Sequence, residues 1–198
     1  TGDLNFSFLN RENGEKPIDL SLESLFGSAP KTTLTDQRKK INFDSLVYNF
    51  SDFEKLLSAV LKLEAVACKD WLTNKVDRCV TGKVAQQQTV GELQLPLSNC
   101  GVMALDYKGN KGVATAIGHS PVIGLIDPAK GSLNSISEAL TNIIWAPLEE
   151  GLKSVSLSAN WMWPCNNDGE NDRLYRAVEA CAKFAIELGI NIPTGKDS

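Results

Sequence analysis

The chain has 198 residues, 42% of them hydrophobic and 22% charged. Twenty Lys and Arg against twenty-four Asp and Glu leave a formal net charge of −4 and a pI near 5.1. That balance excludes a disordered chain, a coiled coil and a collagen-like fibre. The mild acidity argues against nucleic acid as a partner, which calls for a basic face. No run of about 18 apolar residues occurs, so no membrane-spanning helix is expected.

Thr1 is followed by no basic-then-apolar leader, so no signal peptide is expected. Thr194 to Ser198 reads as a polar turn leading into further chain, and both ends look cut from a longer polypeptide. Five cysteines (Cys68, Cys79, Cys100, Cys165 and Cys181) stand singly with no CxxC pair. This is the pattern of reduced thiols in a cytoplasmic protein rather than of a disulfide framework or a zinc site.

Residues 1–44 read as the tail of one domain and a linker. Phe6, Phe8 and Leu9 suggest a strand, Asn13-Gly14 a turn, and Pro17–Leu20 a second strand. Leu20, Leu22, Leu25 and Phe26 then run into the breaker cluster Gly27-Ser28-Ala29-Pro30, and Thr32–Lys40 is polar without an apolar period. From Ser51, an N-cap with Glu54 at the capping-box position, the apolar residues Phe53, Leu56, Leu57, Val60, Leu61 and Leu63 predict a helix to about Val66.

Short strand-like runs follow at Cys79–Val84, Gly101–Tyr107, Val113–Ile117 and Val122–Ile126, with a turn at Lys108–Gly112. Together they predict a mostly antiparallel β set. The period then changes. Ile136, Leu140, Ile143 and Ile144 predict a helix capped by Ser135 and ending near Pro147. Ser154–Ser158 alternates as a strand, and Asn160–Glu170 forms a loop. Leu174, Val178, Cys181, Phe184, Ala185 and Leu188 predict a last helix with Gly189 as its C-cap. The class is α+β.

Little in this pattern dictates chemistry. His119 is the lone histidine, a turn residue beside Ser and Pro, and no second histidine or nucleophile elbow supports Ser-His-Asp catalysis. Glu138 and Asn142, four residues apart on one helix, share a face. They read either as hard oxygen ligands for a magnesium ion shared with phosphates or as an ordinary solvated face. Lys69 is equally a phosphate contact or a surface lysine. Trp161-Met162-Trp163 is a ligand platform or the seal of a core edge.

Several blocks carry a resemblance. Asp77-Arg78-Cys79-Val80-Thr81-Gly82-Lys83-Val84-Ala85 resembles the DRxVTGxVA segment of the large phosphoribosylformylglycinamidine synthases. Gln88–Gly91, Gln94–Leu97, Glu138–Asn142, Leu157–Met162 and Ile192–Ser198 are similar to further blocks of that family, in family order. That family makes formylglycinamidine ribonucleotide from formylglycinamide ribonucleotide, ATP and glutamine in purine biosynthesis.

The resemblance implies an internal fragment of the synthetase region. That region holds two units similar to aminoimidazole ribonucleotide synthetase, each with a β-rich N-terminal half and an α/β C-terminal half. By this reading residues 1–44 close a preceding domain, 45–148 form the second N-terminal, barrel-forming domain, and 149–198 open the second C-terminal domain. The glutaminase cysteine and histidine lie elsewhere, so no catalytic residue is assigned and the fragment is expected to be inactive alone.

The resemblance also implies a share in an auxiliary ATP/ADP site with Mg²⁺. Lys69 and Ser98 match nucleotide contacts, and Asn99, Glu138 and Asn142 match metal ligands. Asn99 stands where the family commonly has Asp, in a segment that here reads Pro96-Leu97-Ser98-Asn99. A neutral amide is the weaker partner for Mg²⁺, so weak nucleotide binding is expected. The expected partners are the rest of the same polypeptide and, for the isolated fragment, a second copy across the β-rich half. The alternatives are a non-catalytic scaffold, or a nucleotide-binding module of selenophosphate synthetase or thiamine monophosphate kinase type. The latter should carry an Asp-rich metal segment that is missing here.

Overall fold

The computed structural model describes residues 2–28, 31, 33–47, 49–69 and 82–197. Residues Asp77 to Thr81 of the family-like block, and with them the first half of the strand expected over Cys79–Val84, lie outside the described residues. The chain divides into two compact units, Thr1–Thr35 and Asp36–Ser198.

In the first unit, β1 (Asn5–Phe8) and β2 (Ile18–Ser21) form an antiparallel hairpin in which Phe6 faces Leu20 and Phe8 faces Ile18. Gly14, at φ +73°, supplies the left-handed residue of the connection. The apolar stretch before Gly27 forms a short helix, α1 (Leu22–Phe26), because Ser21 accepts the Ser24 N–H as its cap.

The second unit begins with an extended segment and α2 (Phe53–Leu61). Asn49, not Ser51, caps this helical stretch. Its carboxamide oxygen takes both the N–H and the hydroxyl of Ser51, which nucleates a 3₁₀ turn over Phe50–Asp52 before α2. The helix ends at Leu61, short of Val66. Strands β3 (Val84–Gln86), β4 (Cys100–Ala104) and β5 (Gly112–Ala116) form the expected antiparallel sheet in the order β3-β4-β5. The turn between β4 and β5 is fixed by Asp106, whose carboxylate accepts the N–H groups of Lys108 and Gly109.

The apolar run Val122–Ile126 is helical rather than extended. It forms α3 (Pro121–Ile126), with Pro121 opening the first turn. A five-residue apolar run has no periodicity that separates helix from strand, and Pro at the first helical position decides it. The next helix also begins earlier than Ser135. Asp127 caps α4 (Pro128–Ile143) by accepting from Ala129 and Lys130 N–H at 3.0 and 3.1 Å. Ser135 sits inside this helix and returns its hydroxyl to the Gly131 carbonyl.

Strand β6 (Ser156–Trp161) extends three residues past Ser158 into the expected loop. Helix α5 (Glu170–Leu188) then ends on Gly189 at φ +69°. The polar end is not a turn. Residues Asn191–Asp197 form β7, parallel to β6, with Thr194 beside Ser158 and Asp197 beside Trp161. The described residues form a mixed α and β fold with three small sheets.

The core of the second unit lies between α4, α5 and the β6–β7 pair. Ile136, Leu140, Val155, Cys181 and Ile190 are buried there, with Trp161, Phe184 and Ile192 packed around them. On α5, Arg173, Ala177, Cys181 and Ala185 recur every four residues as one buried stripe. Burial pushes the Cys181 thiol above its ordinary pKa, in keeping with a packing role. Trp161 packs on this core and Trp163 Nε1 donates to Glu170 at 2.8 Å, so the tryptophan pair closes a core edge.

The N-terminus of α5 has no cap from its own flanking residues. Asp36 supplies it from the extended segment, accepting from the N–H groups of Gly169, Asn171 and Asp172 at 3.0, 2.9 and 3.2 Å. Its pKa is lowered, first by the Gln37 N–H at 2.8 Å; desolvation opposes this, and the N–H groups of Asp172, Gly169 and Asn171 each lower it further. A lowered folded-state pKa stabilises the native state above the ordinary aspartate value, and that contribution is lost as pH falls through the lowered value. Asp36→Asn should therefore lower stability at neutral pH and flatten the acid limb of a stability–pH curve below the ordinary aspartate value. Urea unfolding at stepped pH measures it; an unchanged limb contradicts the cap.

Candidate functional site

Three of the five residues singled out in the sequence come together where the β3–β5 sheet meets α4. Asn99 lies just before β4, and Glu138 and Asn142 stand one turn apart on α4. Asn142 Nδ2 donates to the Ile117 carbonyl at 3.1 Å, which fixes the orientation of its amide. Its Oδ1 then accepts from Asn99 Nδ2 at 3.3 Å. Glu138 Oε2 accepts the His119 backbone N–H at 2.8 Å, with the His119 imidazole Nδ1 3.8 Å from the same oxygen.

Ser98 is half-buried beside Asn99. Its N–H donates to the Gln88 carbonyl at 3.0 Å and its hydroxyl takes the Gln86 amide at 2.5 Å. Lys69, also half-buried, donates to the Ala67 carbonyl of its own segment at 3.0 Å. The cluster thus comprises Asn99, Glu138 and Asn142, with Ser98 next to it in the chain and Lys69 engaged on its own segment.

An open cleft of about 640 Å³ lies on one side of Glu138, lined also by His119, Ser120, Asn134, Ser137 and Thr141. The approach that makes this arrangement possible is at Gly118. An added Cβ there would overlap the Ser135 carbonyl and lie 2.5 Å from the Ala139 nitrogen. Only glycine lets the segment after β5 lie on α4 closely enough for Ile117 and His119 to bond Asn142 and Glu138. Sequence reasoning missed this contact; its one signal was a glycine directly after an apolar strand.

The donor set is one carboxylate and two amides, hard oxygens of the type that suits Mg²⁺. It fits by donor type and falls short by charge. Glu138 is its one anion, Asn99 turns its NH₂ toward Asn142, and among the described residues no three His, Cys, Asp or Glu side chains converge on a metal position.

Residues 68–198 match the model of the FGAR-AT PurM_N-like domain. The chain belongs to that family. It is 42% identical over 182 residues to a probable phosphoribosylformylglycinamidine synthase, chloroplastic/mitochondrial, of Arabidopsis thaliana. It is 43% identical over 183 residues to the phosphoribosylformylglycinamidine synthase of Homo sapiens, and 48% identical over 144 residues to a probable one of Caenorhabditis elegans. These alignments take in 91%, 92% and 73% of this chain but 13%, 14% and 11% of the relatives. The blocks read from the sequence as family-like from Gln88 onward all fall within the matched residues. No described helix is long and apolar enough to cross a membrane.

Gly118→Ala should separate the segment after β5 from α4 and cost about 1–3 kcal/mol by overpacking. Chemical denaturation measures the loss, and amide exchange should show His119 N–H deprotected. Wild-type stability in this variant contradicts the close approach.

Proposed function

We propose that the chain is an internal piece of a phosphoribosylformylglycinamidine synthase. That enzyme is an ATP- and glutamine-dependent ligase converting formylglycinamide ribonucleotide to formylglycinamidine ribonucleotide in purine biosynthesis. One observation carries this reading: relatives of that name align with about nine-tenths of this chain and about one-seventh of their own length. A module of selenophosphate synthetase or thiamine monophosphate kinase type is disfavoured by the same match and by the absence of an Asp-rich segment. A cytoplasmic location goes with the reduced-thiol pattern; the plastid or mitochondrial address belongs to the Arabidopsis relative.

Within the intact enzyme the piece contributes an auxiliary nucleotide site and a domain interface, and no catalytic residue. The division at 44 and 148 into a domain tail, an aminoimidazole-ribonucleotide-synthetase-like N-terminal domain and the opening of its C-terminal partner follows the family blocks. Compactness draws a different line, at Thr35. Glu138, Asn142 and Asn99 would hold Mg²⁺, and Lys69 and Ser98 would contact ATP or ADP. A bound Mg²⁺ would neutralise phosphate charge. The chain's own part is to fix Glu138 through the His119 N–H and Asn142 through the Ile117 carbonyl, so that two oxygens hold their spacing. With one anion against two positive charges, affinity is low.

The purified chain, given formylglycinamide ribonucleotide, ATP, glutamine and Mg²⁺, should show no turnover. Calorimetry with ADP and Mg²⁺ should show binding weaker than micromolar, which is about −8 kcal/mol. Turnover would overturn the reading of an inactive piece, and micromolar binding the reading of an under-charged site.

The assembly role rests on exposed apolar surface at the sheet and on α2. Val113 is 54% and Ile117 76% exposed, and α2 carries Phe53, Leu57 and Val60 with no buried residue. Unpartnered strands and apolar patches invite association, and two copies are the simplest closed solution. Sedimentation equilibrium at micromolar concentration should show a dimer; a single species at 21.5 kDa contradicts it.

A further inference from the structure

A second cleft, of about 470 Å³, lies on the same unit and is lined by five cations: Arg38, Lys39 and Lys40 from the extended segment, and Arg173 and Arg176 from α5. Asp127 is its one acidic lining residue, and that carboxylate already caps α4. Five of the twenty Lys and Arg of an acidic chain converge on this one cavity. Pro128, on its wall, opens α4, and Glu138 lies ten residues on, about 15 Å along the helix axis. The cleft is therefore separate from the Asn99–Glu138–Asn142 cluster.

The charges are incompletely paired. Arg38 Nε and Arg176 Nη1 share one oxygen, Oδ2 of Asp172, at 3.4 and 4.0 Å, so two guanidiniums meet a single carboxylate. Lys39 pairs at 3.1 Å with Asp168, whose side chain is 88% exposed, and a pair so open to water holds weakly. Lys40 has no ion-pair partner among the described residues. Arg173 is engaged through Nη2 by the Gly124 and Leu125 carbonyls and through Nε by Glu170, so its chief contribution to the cleft is positive potential.

The segment that carries three of these cations is held in place. Asp36 is anchored to three N–H groups of α5, and Arg38, Lys39 and Lys40 follow it at once. Donors already positioned lose less entropy when a ligand arrives. Guanidiniums and ammoniums grouped in this way match phosphate oxygens, with Arg offering a planar fork and Lys a point charge.

We propose that this cleft binds the phosphate groups of a small phosphorylated ligand of the diphosphate class, inorganic or nucleotide-borne, without a metal ion. Arg38, Arg176 and Lys40 make the contacts, Lys39 turns from Asp168 toward the ligand, and Asp36 acts as a positioning residue.

The test is calorimetry on the full chain at low salt with EDTA, which removes Mg²⁺ and so keeps the Asn99–Glu138–Asn142 site out of the readout. Inorganic pyrophosphate and ADP are titrated separately. Each should saturate one site, and equal affinity identifies the phosphates as the recognised group, whereas tighter ADP binding identifies a nucleotide. Lys40→Glu and Arg176→Gln should each weaken binding at least tenfold, and Asp36→Asn should weaken it with the cations intact. Lys153→Glu, an equal charge change at an exposed position away from the cleft, should leave it unchanged. Circular dichroism confirms that each variant is folded, and Lys40, on an exposed segment, is the variant least coupled to folding. Absence of saturable binding by both probes overturns the proposal. So does binding that Lys40→Glu and Arg176→Gln leave intact, or that Lys153→Glu weakens equally.

Discussion

Arg173 is 6% exposed, and a guanidinium so far from water is tolerable only where its charge and donors are matched. Its Nη2 donates to the Gly124 and Leu125 carbonyls at 2.8 and 2.7 Å, in the last turn of α3, where a helix leaves acceptors unpaired. Its Nε meets Glu170, whose same oxygen also takes Trp163 Nε1. One side chain thus joins α3, the start of α5 and the tryptophan loop. No buried side-chain nitrogen or oxygen among the described residues lacks a partner. Breaking this junction would strand α3 carbonyls and a carboxylate together, which is why the larger unit depends on it.

From that junction the core follows. The α5 stripe lies against α4, and α4 buries Ile136 and Leu140. Glu138 stands two residues from each, about 200° around the helix, so burying one face turns Glu138 outward and carries Asn142 with it. The sheet then arrives from the other side through Gly118. The candidate site is a consequence of helix packing: its two helical members have no freedom to face elsewhere while Ile136 and Leu140 stay buried.

Charge is distributed with the same economy. The chain is acidic, yet five of its cations gather around α5 and the segment from Asp36, while the acids that offset them, Asp168, Glu170 and Asp172, sit at the N-terminus of α5 where the helix dipole favours them. The apolar surface is equally uneven. The interface between α4 and α5 is dry, whereas α2 and β5 keep large side chains in water. Apolar surface left in water is what a piece that packs within a larger polypeptide would carry.

Much was legible locally. The β1–β2 hairpin, the β4–β5 pair, α5 and its Gly189 stop follow from alternation, fourfold spacing and a left-handed glycine, all signals within a few neighbouring residues. Glu138 and Asn142 were also readable as a pair, because helical spacing alone puts them on one face. Other features were decided elsewhere in the chain. Val122–Ile126 is apolar in either state, and Pro121 with the waiting guanidinium of Arg173 made it a helix. Thr194–Asp197 looks like a turn by composition, but a parallel strand is paired by its backbone, and β6 supplied the partner. Asn49 displaced Ser51, and Asp127 displaced Ser135, because a cap is set by which carboxylate or amide reaches the free N–H groups. The links Asn99–Asn142, Glu138–His119 and Asp36–α5 join residues up to 136 positions apart. Sequence fixes such residues one at a time; only the packed tertiary structure brings their donors and acceptors within 3 Å or so of each other.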